Sequence, residues 1–252
     1  MVSYPSDGND ACFLIEETSY WFAHRNACIL ALLSQFPPDG EVYDIGGGNG
    51  YVSLALNKAG IDSVLVEPGH GAHNAVSRGM TRVIQAALED TGFTEGSLAA
   101  AGVFDVVEHI DEDVAFMRSV QRLLRPGGRF YGTVPAFQAL WSGDDVHAGH
   151  FRRHDREGIA SRLRAAGFVV EFVAYFFSWL VLPVFLFRSL PFRFRGTPTK
   201  PSLDSAKRDH SLPGFLGGVV NQFHDWELDL LRDRRSPAGG SSLLFCARKP
   251  RA

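Results

Sequence analysis

The chain has 252 residues, a formal charge of -3, 45% hydrophobic residues and 21% charged residues. Disordered and fibrous classes are excluded, a full hydrophobic core is affordable, and the acidic balance disfavours a protein that grips phosphate backbone. Cys12, Cys28 and Cys246 stand apart, so neither a disulfide framework nor a cysteine metal site is expected, as suits a reducing cytoplasm.

Trp21, Cys28, Leu32 and Phe36 fall near helical spacing and predict a helix over 13–36, stopped by Pro37-Pro38. A short buried strand over 41–45 runs into Gly46, Gly47, Gly48 and Gly50. A helix over 51–59 ends at Gly60, a left-handed cap. Strands follow over 63–66, 82–85 and 99–103, the last poor in bulky residues. A helix over 111–124 carries acids in its first turn and Arg122 and Arg125 in its last, which suits its dipole. Pro126-Gly127-Gly128 ends it before a strand over 129–134. A helix over 156–166, capped by Gly167, precedes a strand over 168–176. A polar loop over 196–213, a helix over 215–232 and a strand over 241–248 complete the chain. This alternation predicts an α/β fold, a mostly parallel sheet with helices on both faces. One domain over 1–252 is expected, with a helical cap over 1–40 and an insertion or lid over 137–215.

The segment Asp44-Ile45-Gly46-Gly47-Gly48-Asn49-Gly50 joins the first strand to a helix. Ligands in open α/β sheets lie beyond the carboxyl ends of strands, and glycines let a ligand approach the backbone there. A dinucleotide fingerprint requires a third glycine at 51, where Tyr51 stands, and no P-loop lysine follows. Glu67 ends the second strand, where a carboxylate can accept both hydroxyls of a ribose.

The run over 172–187 holds no charged residue and contains Pro183. Its 16 residues are fewer than the roughly 20 a spanning helix needs. Two readings stand: a buried strand leading into a buried helix, or an interfacial element. Arg188, Arg193, Arg195 and Lys200 suit the second, with peripheral membrane contact through 172–195. The polar start lacks a secretory pattern, so a cytoplasmic location is expected, at the inner membrane surface on the interfacial reading.

With DIGGGNG at 44–50, Glu67, LED at 88–90, FDVVEHIDED at 104–113 and LLRPGGRFYGTVP at 123–135, the chain resembles the class I S-adenosylmethionine-dependent methyltransferases. In particular it resembles the small-molecule and lipid group related to the ubiquinone and menaquinone enzymes. The resemblance implies a doubly wound seven-stranded sheet of order 3-2-1-4-5-7-6 with the last strand antiparallel. It also implies S-adenosylmethionine as cofactor. Asp44, Gly46, Gly48, Asn49 and Gly50 would hold its methionine part and Glu67 its ribose. Leu88 and Glu89 would line the adenine, and Asp105 would face the ammonium. Ala87 replaces a family Asp at the adenine, and Leu98-Ala99 replaces the Phe-Asp that opens the fourth strand.

Methyl transfer needs a positioned acceptor and, for a hydroxyl, a base. The segment 141–154 holds three of nine histidines, and resembles an Asp-x3-Gly-His-x-Arg-Arg-aromatic block of a family subgroup. His150 is the first candidate base, with His147 and His154 beside it, because imidazole titrates near neutrality. Trp141, Arg152 and Arg153, with Trp21 and Arg25 of the N-terminal helix, are candidate acceptor contacts. The competing readings are a loop held by Arg–Asp pairs and, for Trp21, plain core packing. His109 follows Glu108 in a pair common in the family, and the resemblance implies architecture or cofactor-side support for it more than acceptor chemistry. The histidine spacing matches no zinc pattern, so no metal is expected. The expected activity is methyl transfer to a small-molecule or lipid-like acceptor, and no nucleic-acid partner is expected. Two alternatives remain: an O- or N-methyltransferase acting on a polar metabolite, and a catalytically silent cofactor-binding partner subunit.

Overall fold

Apolar runs too short for helices become strands, the central ones buried on both faces of the sheet. They are β1 (Val42–Ile45), β2 (Ser63–Val66), β3 (Val83–Ile84), β4 (Leu98–Phe104), β5 (Leu124–Pro135), β6 (Val169–Phe176) and β7 (Ser242–Arg248). They form one sheet in the order β3-β2-β1-β4-β5-β7-β6. The first five strands are parallel, and β7 runs antiparallel to both β5 and β6. The computed structural model describes residues 6–195 and 214–251.

The helices are α1 (Ser6–Ile15), α2 (Tyr20–Gln35), α3 (Tyr51–Lys58), α4 (Gly71–Ser77), α5 (Asp113–Leu123), α6 (Gly143–Ala148), α7 (Arg156–Ala165), α8 (Val181–Val184), α9 (Leu190–Arg195) and α10 (Gly214–Arg232). A π-helical turn, Phe185–Ser189, joins α8 to α9. Met117 and Val120 of α5 and Ile159 and Leu163 of α7 pack with Ile45, Val66, Phe130 and Phe245 in one core. Ile29, Leu32 and Leu33 of α2, Leu56 of α3 and Leu231 of α10 pack with Tyr131, Phe176 and Leu244 in the other. The sheet is therefore doubly wound.

The small residues of β4 have a packing reason. A Cβ on Gly102 would sit 2.5 Å from the Phe104 ring, and one on Gly132 of β5 would sit 2.4 Å from Phe245. The rings occupy space that bulkier strand residues would need.

Several boundaries differ from expectation. The helix expected over 13–36 is broken, because Ser19 caps α2 by accepting from the N–H groups of Trp21 (3.1 Å) and Phe22 (3.3 Å). Helices α4 and α6 arise in segments with no apolar periodicity. Pro126-Gly127-Gly128 sits inside β5 at a register shift between Leu98 and Ala100, so the strand starts at Leu124 directly after α5. Within 137–215, β6 is a strand of the sheet and α7 packs against the sheet, while the loop expected over 196–213, Lys200 included, lies outside the described residues.

The apolar run divides at Phe177, whose φ of 57° turns the chain off β6. Phe176 and Phe177 are fully buried, whereas Leu182 (63%), Phe187 (77%) and Phe194 (84%) are exposed. The strand half thus fits the buried reading and the helical half does not. Among the described residues no helix is long and apolar enough to cross a membrane.

Candidate functional site

The sheet order reverses between β1 and β4, which opens a crevice at their carboxyl ends. Segments after β1, β2 and β4, together with α2, α6 and α8, enclose a cavity of about 690 Å³ there.

The glycine loop forms its floor. Gly46, Gly48 and Gly50 have φ of 72°, 53° and 70°, a region that side chains disfavour. A Cβ on Gly47 would lie 2.5 Å from Asp44 Oδ2. Asp44 is fully buried. Its Oδ2 accepts from Ser53 Oγ at 2.7 Å, and its Oδ1 has no partner. Burial pushes this carboxyl up to about 6, against the opposing Ser53 hydrogen bond. Glu67 staples the loop: Oε2 accepts from Gly48 N (3.0 Å) and Oε1 from Gly69 N (2.7 Å). Asn49 is buried as well. Arg78, which donates to Asn49 O (3.1 Å) and Glu16 Oε2 (2.6 Å), ties α1 across the loop. Glu16, Arg78 and Tyr51, whose ring lies 5.2 Å from the Arg78 guanidinium, were not expected here. They come from three separate elements, and no local pattern marks them.

Asp105, at φ 59°, forms the next wall. Its Oδ1 accepts from Thr133 Oγ1 (2.9 Å) and its Oδ2 from Arg25 Nη1 (2.7 Å). The Arg25 guanidinium lies 5.3 Å from the Trp21 ring and 5.0 Å from the Phe22 ring. Leu88 and Glu89 do not line the main cavity. They line a neighbouring hollow that shares His109 and Ile110 with it.

On the opposite side, Asp145 closes a capping box on Ser142. Its Oδ1 accepts from His150 Nδ1 (2.9 Å) and Arg153 Nε (2.7 Å). Burial works against ionisation, yet the hydrogen bond from His150 and the charge of Arg153 hold this carboxyl below the usual range. His147, His150 and Arg153 line the cavity. His154, Trp141 and Arg152 do not. Burial holds the His154 imidazole down near 4, and its backbone bridges to Ala136. Arg152 instead clamps Asp111 Oδ1 and Asp113 Oδ2, each at 2.8 Å.

Glu108 and His109 follow Asp105 on a 3-10 turn. Glu108 is fully buried and its Oε2 has no hydrogen-bond partner. Burial, then the Asp105 charge, raises its carboxyl well above the usual range. The His109 ring meets the His150 ring edge-on, with centroids 4.7 Å apart. Burial, then His150, lowers the His109 imidazole to about 4.

The Methyltransferase domain family matches residues 20–172, more than half of the chain. A probable S-adenosylmethionine-dependent methyltransferase of Mycolicibacterium smegmatis is 25% identical over 164 residues, 62% of each chain. An uncharacterized methyltransferase of Mycolicibacterium gilvum is 29% identical over 114 residues, 44% of this chain and 45% of that one. The chain thus spans less than two thirds of the length of either relative. A Haemonchus contortus phosphoethanolamine N-methyltransferase 2, solved with S-adenosyl-L-methionine, superposes with a TM-score of 0.61 at 18% identity, over 99% of this chain and 58% of that one. It shares the fold. With its sheet order and glycine loop, the chain belongs to the class I S-adenosylmethionine-dependent methyltransferase family.

Proposed function

We propose that the protein transfers the methyl group of S-adenosylmethionine to an apolar, small-molecule or lipid-like acceptor. One observation carries this reading: a single cavity joins the glycine loop, Glu67 and Asp105 to an apolar wall of Leu180, Pro183, Val184 and Phe187. The glycine floor, the partnerless Asp44 Oδ1 and the Glu67 carboxylate suit a charged nucleoside ligand. Asp44, Gly46, Gly48, Asn49 and Gly50 would hold its methionine part, and Glu67 its ribose. Leu88 and Glu89 would flank the adenine from the neighbouring hollow. The Arg25–Asp105 pair offers a cation and an anion side by side, which matches the zwitterion of an amino acid. When bound, S-adenosylmethionine supplies a methyl group already activated by a positive sulfur.

The chain's own work is then to position the acceptor, exclude water and remove a proton. His150 would take the last task. Asp145 holds its Nδ1, so its other ring nitrogen acts as the proton acceptor. His147 stands nearby at the exposed edge. Leu182, Leu186, Phe187 and Phe194 are exposed, and Arg188 and Arg193 lie among them in the same segment. That combination suits peripheral contact with the inner surface of a membrane, from which such an acceptor would enter.

Two substitutions separate binding from turnover. Glu67→Ala is expected to weaken S-adenosylmethionine binding at least tenfold, about 1.4 kcal/mol, by calorimetry. Unchanged affinity would remove the ribose role. His150→Ala is expected to lower turnover with cofactor affinity preserved, and normal turnover would remove it as the base. The acceptor class is tested with methyl-labelled S-adenosylmethionine and a host extract split into organic and aqueous phases. Label in the organic phase is the expected result; label in the aqueous phase alone overturns the apolar acceptor.

A further inference from the structure

We propose that Glu108, His109 and His150 form a binding site for a divalent transition-metal cation at the acceptor end of the cavity. One ligand atom from each residue lies within 4.8 Å of those of the other two. Glu108 and His109 come from the turn after β4, and His150 from the segment after α6. Distance alone would not make a site. Three further features do.

The first is the carboxylate. Glu108 Oε2 is buried with no hydrogen-bond partner. Its acidic neighbours are already matched by cations: Asp105 pairs with Arg25, and Asp145 with Arg153. Glu108 is the acid of this group with no such mate among the described residues. A buried carboxylate oxygen in that position is normally hydrogen-bonded, paired or bound to a metal.

The second is the tethering of both imidazoles. His150 donates Nδ1–H to the Asp145 carboxylate, and His109 is hydrogen-bonded to the Ala148 backbone. Metal-binding histidines almost always hold one ring nitrogen in this way, which fixes the ring and directs the other nitrogen at the ion. Asp145 is itself fixed by Ser142 N (2.8 Å), so the support reaches a further layer outward.

The third is access. All three residues line the main cavity. Two histidines and one carboxylate leave coordination positions open, the donor set of catalytic zinc and of other first-row metals rather than of magnesium. An open position facing the cavity is where a hydroxyl or carbonyl oxygen of an acceptor would sit. With the cation bound, His150 is a ligand and the cation polarises that oxygen; without it, the imidazole is the base. The inference thus deepens the acceptor side of the proposed methyl transfer, but its test reads binding and not turnover.

The experiment takes the untagged full chain, stripped with chelator and dialysed, and titrates Zn²⁺, Mn²⁺ and Co²⁺ by calorimetry, with the visible spectrum of the Co²⁺ form recorded. One equivalent per chain is expected. Glu108→Gln and His150→Ala should each weaken binding at least tenfold and alter the Co²⁺ spectrum. Glu108→Gln is isosteric, so an unchanged melting curve shows that lost binding is not lost folding. A His70→Ala, His73→Ala double variant removes a separate exposed histidine pair and should bind normally. No saturable binding of any of the three ions, equal binding by Glu108→Gln and His150→Ala, or binding lost with His70 and His73 would each overturn the site. S-adenosylmethionine affinity in the presence of chelator is measured in parallel. If it is intact, failure of the cation site leaves the methyltransferase reading standing.

Discussion

Replacing Glu227 with alanine is expected to destabilise the fold by about 3–5 kcal/mol, the range for removing one partner of a buried charged network. Its carboxylate is fully buried on α10. Oε2 accepts from His24 Nε2 (2.8 Å) and Phe177 N (2.9 Å), and Oε1 from the N–H and hydroxyl of Ser178. Alanine would leave those donors buried without an acceptor. The consequence reaches the site. Glu227 pins the corner at Phe177 where the chain leaves β6, and the Phe177 ring stacks on Trp21 at 5.3 Å beside Arg25. Loosening that corner should raise KM for the acceptor more than it weakens cofactor binding. Burial opposes ionisation of Glu227, but hydrogen bonds from His24 and Ser178 hold its carboxyl below the usual range. Its stabilisation is therefore present at neutral pH and lost as pH falls through the folded-state value. Burial, then His24, also lowers the neighbouring His224 to about 4, so that group costs stability as pH falls from about 6.5 to 4. Urea unfolding of both proteins at pH 7.5 and pH 5 tests this. A loss below about 1 kcal/mol would show that water replaces the carboxylate and that the corner is held by apolar packing alone.

The elements readable in the sequence were those whose signal is local. Buried parallel strands are continuous apolar runs, so Val42–Ile45 and Ser63–Val66 stand out, and the glycine loop between strand and helix is local too. The split between α1 and α2 was not legible, because one serine side chain competes there with a helical pattern that runs on without interruption. Within the site, adjacency in sequence misleads. Arg152 and Arg153 are neighbours, yet one clamps α5 and the other faces the cavity. His150 and His154 are equivalent on paper, but the bridge of His154 to Ala136 carries it into the interior. The pairs that form or support the walls join distant segments: Arg25 to Asp105 spans 80 residues and His24 to Glu227, behind the wall, spans 203. No periodicity carries such information, since a lone polar residue on a helix looks the same whether it faces water or a buried partner.

Asp44→Asn should show the opposite of Glu227→Ala: a more stable protein that binds its cofactor less well. The folded-state value of about 6 lies above the usual 3.8 because burial penalises the charged form. Between pH 4 and 6 the folded chain therefore holds more of this proton than the unfolded chain, and the Asp44 contribution falls as pH rises through that window. Above it, the free protein carries a buried carboxylate whose Oδ1 has no partner. Asparagine keeps an acceptor for Ser53 and removes the charge. The difference in unfolding free energy between variant and wild type should thus be small at pH 4 and grow to about 3 kcal/mol in favour of the variant by pH 7.5. The comparison must be a difference, since burial of His154 and His224 gives the raw profile a slope of opposite sign over the same range. Equal stability of the two proteins at pH 7.5 would mean that relaxation or water already satisfies Asp44. A buried charge retained at a binding site, at a cost to the free fold, is expected where that charge meets a ligand. Asp44→Asn should accordingly bind S-adenosylmethionine at least tenfold more weakly. A variant that is both more stable and equally tight would show that Asp44 serves the loop and not the ligand.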